Sequence, residues 1–197
     1  KTVHGSLTLG GAGGGQFSTG TNTLTLAGTV ANGCANVVNG PGANSVVVPV
    51  NGVLRVSGNN LTLGGGTGLA VTGGVDLNNT APNIAAITGG GSVTYNPGST
   101  LTYSGPNNNN PSATEFPASG PTNLIINKSA VTDIVTLPAF RSLPVAGTLT
   151  LTQGILDASA GGFTVNNPST GAITFVSNQS WIVGTLTRAI SAGASNY

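Results

Sequence analysis

The chain has 197 residues, of which only 5% are charged, against about 25% in an ordinary soluble domain. A net charge of +1 excludes an electrostatic interface for nucleic acid or anionic membranes. The single cysteine, Cys34, excludes an intrachain disulfide and is predicted to be a small buried residue. The longest apolar run, Val46 to Val50, has the length of a strand and is too short for a membrane helix.

Short segments in which apolar residues alternate with threonine recur along the whole chain. In a strand, residues i and i+2 share a face, so the apolar pair points inward and the central residue points to water. Nearly every segment is closed by Gly, Asn or Pro, which favour tight corners. The predicted strands include Leu7-Thr8-Leu9, Leu24-Thr25-Leu26, Leu61-Thr62-Leu63, Val75-Asp76-Leu77, Val93-Thr94-Tyr95, Leu101-Thr102-Tyr103, Leu149-Thr150-Leu151, Phe163-Thr164-Val165 and Ile173-Thr174-Phe175.

The spacing of these strands predicts an all-β fold. Consecutive strands begin at short and similar intervals, in one series at Leu54, Leu61, Leu69 and Val75 and in another at Leu149, Ile155, Phe163, Ile173 and Ile182. A coil of three short strands and three turns needs roughly 20–25 residues, which matches the sum of the three intervals from Leu149 to Ile173. The pattern therefore favours a right-handed parallel β-helix, a β-solenoid. Stacked coils also explain the shortage of charge, because rows of identical charges would repel. A β-sandwich is the alternative.

Composition divides the chain into three predicted parts. Residues 1–103 form a Gly/Asn-rich solenoid segment, and residues 122–197 form a β-repeat segment with cleaner strands. Between them, residues 104–121 contain four prolines and a run of asparagines, which indicates a surface loop or a boundary between two stacks. The chain begins at Lys1 without a methionine, which indicates a processed or partial sequence.

The C-terminal part resembles a known repeat. Gly147 to Asp157 reads GTLTLTQGILD, Gly162 to Asn166 reads GFTVN, Ser180 to Arg188 reads SWIVGTLTR, and Pro121 to Asn127 reads PTNLIIN. This series is similar to repeats in large Bacteroidota surface proteins that are exported by the type IX secretion system. The resemblance covers residues 121–197, whereas residues 1–120 match only in style. It implies a segment of a longer secreted surface or adhesin protein, and it supplies no catalytic or binding motif.

Candidate catalytic and metal-binding residues are few, and we predict no catalytic, cofactor-binding or metal site. The four acidic residues are Asp76, Glu115, Asp133 and Asp157, of which Asp133 and Asp157 are one predicted coil apart and could meet by stacking. A carbohydrate-active enzyme would need such carboxylates to converge on one groove. The single histidine, His4, satisfies neither a catalytic triad nor a metal site.

Other polar and aromatic residues are assigned structural roles. Gly65 to Leu69 lacks the aspartate of calcium-binding repeats. Arg55, Arg141 and Arg188 are predicted to point outward from strands, and Trp181 is predicted to lie in the core or at an end of the solenoid.

The sequence therefore favours a non-enzymatic structural or adhesive protein at the extracellular surface of a bacterium. It would be a fragment of a larger secreted protein or the subunit of a filament. Its expected partners are other copies of itself, other surface proteins or glycans, without cofactors, nucleic acid or membrane insertion. A carbohydrate-binding or carbohydrate-active β-helix is the second hypothesis. An ice-binding solenoid is the third, although its threonine spacing would have to be more regular.

Overall fold

A computed structural model describes residues 46–57, 60–78, 82–118 and 120–191 in full. Before residue 46, it describes only the backbone of the strand residues 2–3, 7–8, 17–18, 23–26 and 36–39. Cys34 and His4 lie outside the described residues, so the predictions for them stay predictions.

The described chain forms a parallel β-solenoid whose strands stack in three sheets along its length. The long sheet contains β1 (Thr2–Val3), β4 (Thr23–Leu26), β7 (Val53–Ser57), β10 (Gly74–Asn78), β13 (Thr100–Gly105), β14 (Asn123–Lys128), the first part of β17 (Thr148–Val165) and β18 (Ile173–Phe175). The second sheet contains β2 (Leu7–Thr8), β5 (Asn36–Asn39), β8 (Leu61–Leu63) and β11 (Ile87–Gly89). The third contains β3 (Phe17–Ser18), β6 (Val46–Val48), β9 (Gly68–Val71) and β12 (Ser92–Tyr95).

Toward the C-terminus the later part of β17 forms the other two sides of its coil. It pairs with β15 (Ile134–Thr136), β16 (Arg141–Leu143) and β19 (Ser180–Arg188). A short 3₁₀ turn at Thr170–Ala172 leads into β18. All the strand pairs between described residues are parallel, which confirms the solenoid and rules out the alternative sandwich of antiparallel sheets for this part of the chain.

Rows of aliphatic side chains run through the core along the stacking direction. In the long sheet, Leu54, Val75, Leu101, Leu124 and Leu149 pair in register, and all five are buried. Leu149 then pairs with Ile173, which confirms the predicted length of the repeat at this position. Because each residue of this row covers a similar one in the next coil, aliphatic side chains exclude water along the row.

The outer faces carry hydroxyl and amide groups that bond from coil to coil. The amide of Asn78 donates to the hydroxyl of Ser104 at 2.9 Å, and the hydroxyl of Thr148 donates to the side-chain oxygen of Asn123 at 2.7 Å. The hydroxyl of Thr174 donates to that of Thr150 at 3.2 Å. The outward residues of neighbouring strands therefore form ladders that reinforce the backbone pairing.

One glycine shows how closely the coils approach. A Cβ atom at Gly73 would collide with the carbonyl oxygens of Pro49 and Gly52. At the next position, Gly74, an added Cβ would find Val53 at an ordinary contact distance of 3.5 Å. The turn before β10 therefore needs a glycine at position 73 but not at position 74.

The stack continues past residues 106–121, which we call the excursion. Its flanking strands β13 and β14 pair directly in the long sheet, with Leu101 opposite Leu124. The excursion also enters the core, because Glu115 and Phe116 are completely buried, and the ring of Phe116 meets that of Phe163 edge to face at 6.2 Å. It is therefore more than the surface loop that its composition suggests, and an isolated parallel bridge pairs its Asn109 with Val135.

Candidate functional site

Asp133 and Asp157, which stacking could have brought together, do not form a pair of facing carboxylates. In the register of β15 and β17, Asp157 lies opposite Thr136, three residues after Asp133. At roughly 3.3 Å per residue, this offset separates the two positions by about 10 Å along the strands. Each carboxylate instead accepts a local backbone hydrogen bond, Asp133 from Ala130 at 3.0 Å and Asp157 from Ser159 at 2.9 Å.

The environment of Asp157 favours its charged form. Hydrogen bonds from the side chain and backbone of Ser159 lower the pKa of Asp157 below its usual value. Asp157 is therefore an ionised residue that is hydrogen-bonded to the backbone of its own strand, β17. Among the side chains that the structure describes, no three His, Cys, Asp or Glu residues come close enough to hold a metal ion.

Asp76 is held in a polar contact that spans three coils. Arg55 Nε and Nη2 lie 2.8 and 2.7 Å from Asp76 Oδ2, and the hydroxyl of Ser104 donates to Asp76 Oδ1. Arg55 lies between the buried residues Leu54 and Val56 and faces outward, as predicted. A shallow groove of about 490 Å³ lies beside this contact, over Gly73 and Gly74.

Glu115 is an ionisable group inside the core, and it accepts hydrogen bonds from two sides. The hydroxyl of Tyr103 and the backbone N–H of Ile87 each donate to its carboxyl group at 2.7 Å. The hydroxyl of Tyr95 donates to the carbonyl oxygen of Glu115 at 3.0 Å. Ile87 belongs to β11, at the edge of the second sheet, so the Glu115 carboxyl supplies the acceptor that a further strand would otherwise provide.

Burial dominates the titration of this group. It raises the pKa of Glu115 from 4.5 to about 7, although the hydrogen bonds from Tyr103, Ile87 and Ala86 oppose the shift. Burial and the neighbouring Glu115 together raise the pKa of both Tyr95 and Tyr103 well above the usual value. Sequence reasoning missed this site, because a lone glutamate in a proline-rich segment gives no pattern that indicates burial.

Lys128 is a second buried ionisable group beside the excursion. Its ammonium group donates to the carbonyl oxygen of Ser104 at 3.2 Å and to the side-chain oxygen of Asn109 at 2.8 Å. Burial lowers its pKa from 10.5 to about 8, while Asp133 and Asp76 act in the opposite direction. Lys128 therefore ties the start of the excursion to the end of β14.

The prediction that Arg141 and Arg188 point outward is wrong. In the register, Arg141 pairs with the buried Phe163, and Arg188 pairs with the buried Val165. Both guanidinium groups donate to backbone carbonyl oxygens: that of Arg141 to Phe116 and Ala139, and that of Arg188 to Pro168 and Ser169. The physical reason is that strand alternation places Arg141 and Arg188 in the inward rows, where these carbonyl oxygens serve as acceptors for their guanidinium groups.

Trp181 lies on β19, at the C-terminal end of the described stack, in agreement with the predicted end position. It faces outward, however, and 45% of it is exposed. In the register it lies above Ile155, which in turn lies above Ile134, and these two are only half-buried. The three residues therefore form an outward apolar row.

A second groove, of about 330 Å³, lies beside the turn that precedes β16. The exposed ring of Phe140 borders it, together with Ser142 and, from the end of β17, Gly162, Thr164 and Asn166. In the register of β16 and β17, Ser142 lies opposite Thr164. An aromatic ring and several small polar groups thus surround one concave surface.

Comparison of the chain with protein-family models, curated proteins and solved structures finds no match in any of the three. The resemblance of residues 121–197 to Bacteroidota surface repeats therefore stays a prediction. Within the described residues, no helix is long and apolar enough to cross a membrane.

Proposed function

We propose that this chain is a non-enzymatic structural or adhesive element of an extracellular bacterial surface protein. It would act as a rigid spacer, either as a segment of a larger secreted protein or as the subunit of a filament. The β-solenoid fold is compatible with this role, and the resemblance of residues 121–197 to secreted surface repeats is what suggests the location. Its partners would be other copies of the chain, other surface proteins or glycans.

The observation that supports the proposal is that polar side chains bond one coil to the next. Three contacts of charged side chains join one coil to another: the ion pair of Arg55 and Asp76, the Glu115 contact with Ile87, and the Lys128 contacts with Ser104 and Asn109. The uncharged Thr, Asn and Ser ladders do the same on the outer faces. Such a distribution favours a protein whose task is to keep its shape.

The C-terminal end of the described stack supports an assembly in which further coils follow. Ile173, Ile182 and Leu186 pack against the core but are only partly buried. Within the fully described part of the chain, β19 pairs with β17 alone. One more coil on this edge would cover the three aliphatic side chains and satisfy the open backbone groups. In a longer protein the chain itself would provide that coil, and in a filament a second copy would provide it.

A carbohydrate-active enzyme is less well supported by the geometry than a carbohydrate-binding protein. Asp133 and Asp157 are offset along the strand direction, and each accepts a local backbone hydrogen bond. The groove beside Phe140, in contrast, combines an exposed ring with hydroxyl and amide groups, which is a lining suited to a sugar.

The location is tested by antibodies against this chain, applied to intact and to permeabilised cells of the source organism. We expect intact cells to be labelled as strongly as permeabilised ones, since a surface protein needs no opening of the cell. Labelling that requires permeabilisation would contradict the proposal. A control antibody against a cytoplasmic protein shows that the intact cells are closed.

The structural role is tested by electron microscopy and light scattering of the purified chain. A filament subunit would form rods that lengthen with concentration, and Leu186→Lys at the open edge would shorten them. Thr187→Lys, which places the same charge on the outward side of β19, is the matched control. A monomer that stays compact at all concentrations would favour the segment of a larger protein over the filament.

A further inference from the structure

The backbone of Phe140 is unusual among the turns of this protein. Five non-glycine residues with positive φ are found in the described part of the chain, and four of them are asparagines. Asparagine adopts this left-handed conformation more readily than other side chains, whereas a bulky residue rarely does. Phe140 is the fifth, with a φ of 55°. Asparagine or glycine would fit this turn with less strain.

Packing of the Phe140 side chain does not compensate for this backbone strain. The residue is 80% exposed, more than any other large apolar residue among the described ones. The aromatic contact of this region joins Phe116 to Phe163 instead. A strained backbone and an exposed ring at the same position point to a role outside folding.

The surroundings of the ring are shaped to leave it accessible. A Cβ atom at Gly161 would come within 2.9 Å of the Cβ of Ala139 and 3.0 Å of the Phe140 nitrogen, so Gly161 allows this turn to approach β17 closely. Gly162, which adjoins the paired residue Phe163, leaves the floor of the groove without a side chain.

The polar groups of the groove are available to a ligand. Within the described residues, the hydroxyl groups of Ser142 and Thr164 have no hydrogen-bond partner in the protein. Asn166 uses its amide nitrogen to donate to the carbonyl oxygen of Leu143 at 2.8 Å, which leaves its side-chain oxygen as an acceptor. Ser142 and Thr164 lie on neighbouring strands, so their hydroxyls are spaced by roughly 4.8 Å.

Among the described residues, the groove is bordered by one cation and by no carboxylate. Arg141 is the one charged residue that borders the groove, and its Nε and Nη1 donate to the carbonyl oxygens of Phe116 and Ala139. Its strand position is that of the inward row, opposite Phe163. An aromatic face beside hydroxyl and amide groups suits a molecule with one C–H face and several hydroxyls.

We propose that the groove formed by Phe140, Ser142, Gly162, Thr164 and Asn166 binds one hexopyranose unit of a glycan. The sugar ring stacks on Phe140, and its hydroxyl groups bond to Ser142, Thr164 and Asn166. The inference rests on the proposed function for its setting, because it names the ligand class of an adhesive surface protein. Its test uses the purified chain and does not depend on where the protein is found.

The test is titration of the full chain with neutral oligosaccharides of glucose, galactose and mannose, followed by ligand-observed NMR and calorimetry. We expect at least one of them to bind. Phe140→Ala should lower the affinity roughly tenfold, and Phe140→Trp should retain it. Thr164→Val, which removes a hydroxyl and keeps the shape, should lower the affinity by a smaller factor.

Stability provides a second readout. Because asparagine fits the turn better, Phe140→Asn should raise Tm by roughly 2–4 °C while it lowers the affinity roughly tenfold, as Phe140→Ala does. Phe175→Ala is the matched control: Phe175 is 69% exposed but lies at the open end of the long sheet, so its loss should leave binding unchanged.

Three results would overturn the proposal: no binding of any neutral oligosaccharide at millimolar concentration, unchanged binding by Phe140→Ala, or an equal loss by Phe175→Ala. Surface labelling of intact cells without sugar binding would leave the proposed function standing and reject this site alone. Sugar binding by a protein found only inside cells would support this site and reject the proposed function.

Discussion

The regular coils and the coil that carries the excursion provide hydrogen-bond partners for their backbone groups in different ways. In β7 and β10 every inward residue is aliphatic, and the backbone groups of each strand pair with the next strand. At the excursion the chain leaves this path, and the N–H of Ile87 bonds to the buried carboxyl of Glu115 instead. Regular stacking thus needs no ionisable group in the core, whereas the interruption of the stack brings the carboxyl group of Glu115 into it.

The largest expected effect is that of removing the Glu115 carboxyl. Glu115→Ala leaves the N–H of Ile87 and the hydroxyl of Tyr103 without acceptors, at about 1–3 kcal/mol each, and opens a cavity. We expect the free energy of unfolding to fall by about 4 kcal/mol, measured by urea denaturation. Thr62→Ala in a regular ladder is the control and should cost less than about 0.5 kcal/mol. Equal losses of unfolding free energy in the two variants would contradict this difference between the excursion and the regular coils.

The next effect is an unusual dependence of stability on pH. The pKa of Glu115 is about 7 in the folded state and 4.5 ordinarily, so the unfolded chain loses this proton first as pH rises from 4.5 to 7. The contribution of protonated Glu115 is complete below pH 4.5 and is lost through pH 7, a decrease of about 3 kcal/mol.

Lys128 acts in the opposite sense at higher pH. Its pKa falls from 10.5 to about 8 on folding, so the folded chain releases this proton first and gains stability between pH 8 and 10.5. Denaturation at a series of pH values should therefore show a minimum of stability between pH 7 and 8. Glu115→Gln should remove the decrease of stability between pH 4.5 and 7. If this variant leaves the dependence of stability on pH unchanged, Glu115 is not the cause of that decrease.

A smaller effect tests the regular coils. Gly73→Ala forces its Cβ against the carbonyl oxygens of Pro49 and Gly52 and should cost about 2 kcal/mol. Gly74→Ala meets Val53 at 3.5 Å and should change stability by less than about 0.5 kcal/mol. Thermal unfolding of the two variants compares adjacent positions of one turn, and similar values would mean that the coils are less tightly stacked than described.

The smallest effect concerns the ion pair on the outer face. Arg55→Met removes the partner of Asp76 but keeps the apolar stem, and about half of the Arg55 side chain is exposed. We expect a loss of at most about 1 kcal/mol that becomes smaller at high salt. A larger loss, independent of salt, would place this pair with the buried groups of the excursion.

The parts of the fold that could be predicted are those that local pattern determines. Leu61-Thr62-Leu63 and Val75-Asp76-Leu77 lie in strands as expected, because alternation fixes which face each residue takes. The predicted coil length holds for Leu149 and Ile173, yet Asp157 pairs with Thr136 rather than with Asp133. Coil lengths differ between the sides of the solenoid, so one interval could not give the register of all sheets.

The candidate site was largely beyond sequence reasoning. The burial of Glu115 depends on Tyr103 in its own coil and on Ile87 in the preceding coil, and neither contact leaves a trace in local spacing. Phe140 follows Pro138 and Ala139 in a segment without alternation, so neither its left-handed backbone nor its exposure could be anticipated. The signal that could have pointed to it is a bulky aromatic residue at a turn where asparagine is the rule.

The Glu115 contacts also bear on how the molecule responds to mechanical force. In a solenoid each coil touches only its neighbours, so pulling on the C-terminal side peels β19 and β18 away first and then proceeds coil by coil. The excursion strengthens one step of this order, since Ile87 of β11 and Tyr95 of β12 both donate to Glu115, and both bonds must break before the coil that carries the excursion can leave. The coils on the N-terminal side of the excursion therefore stay folded under this force until the hydrogen bonds to Glu115 break.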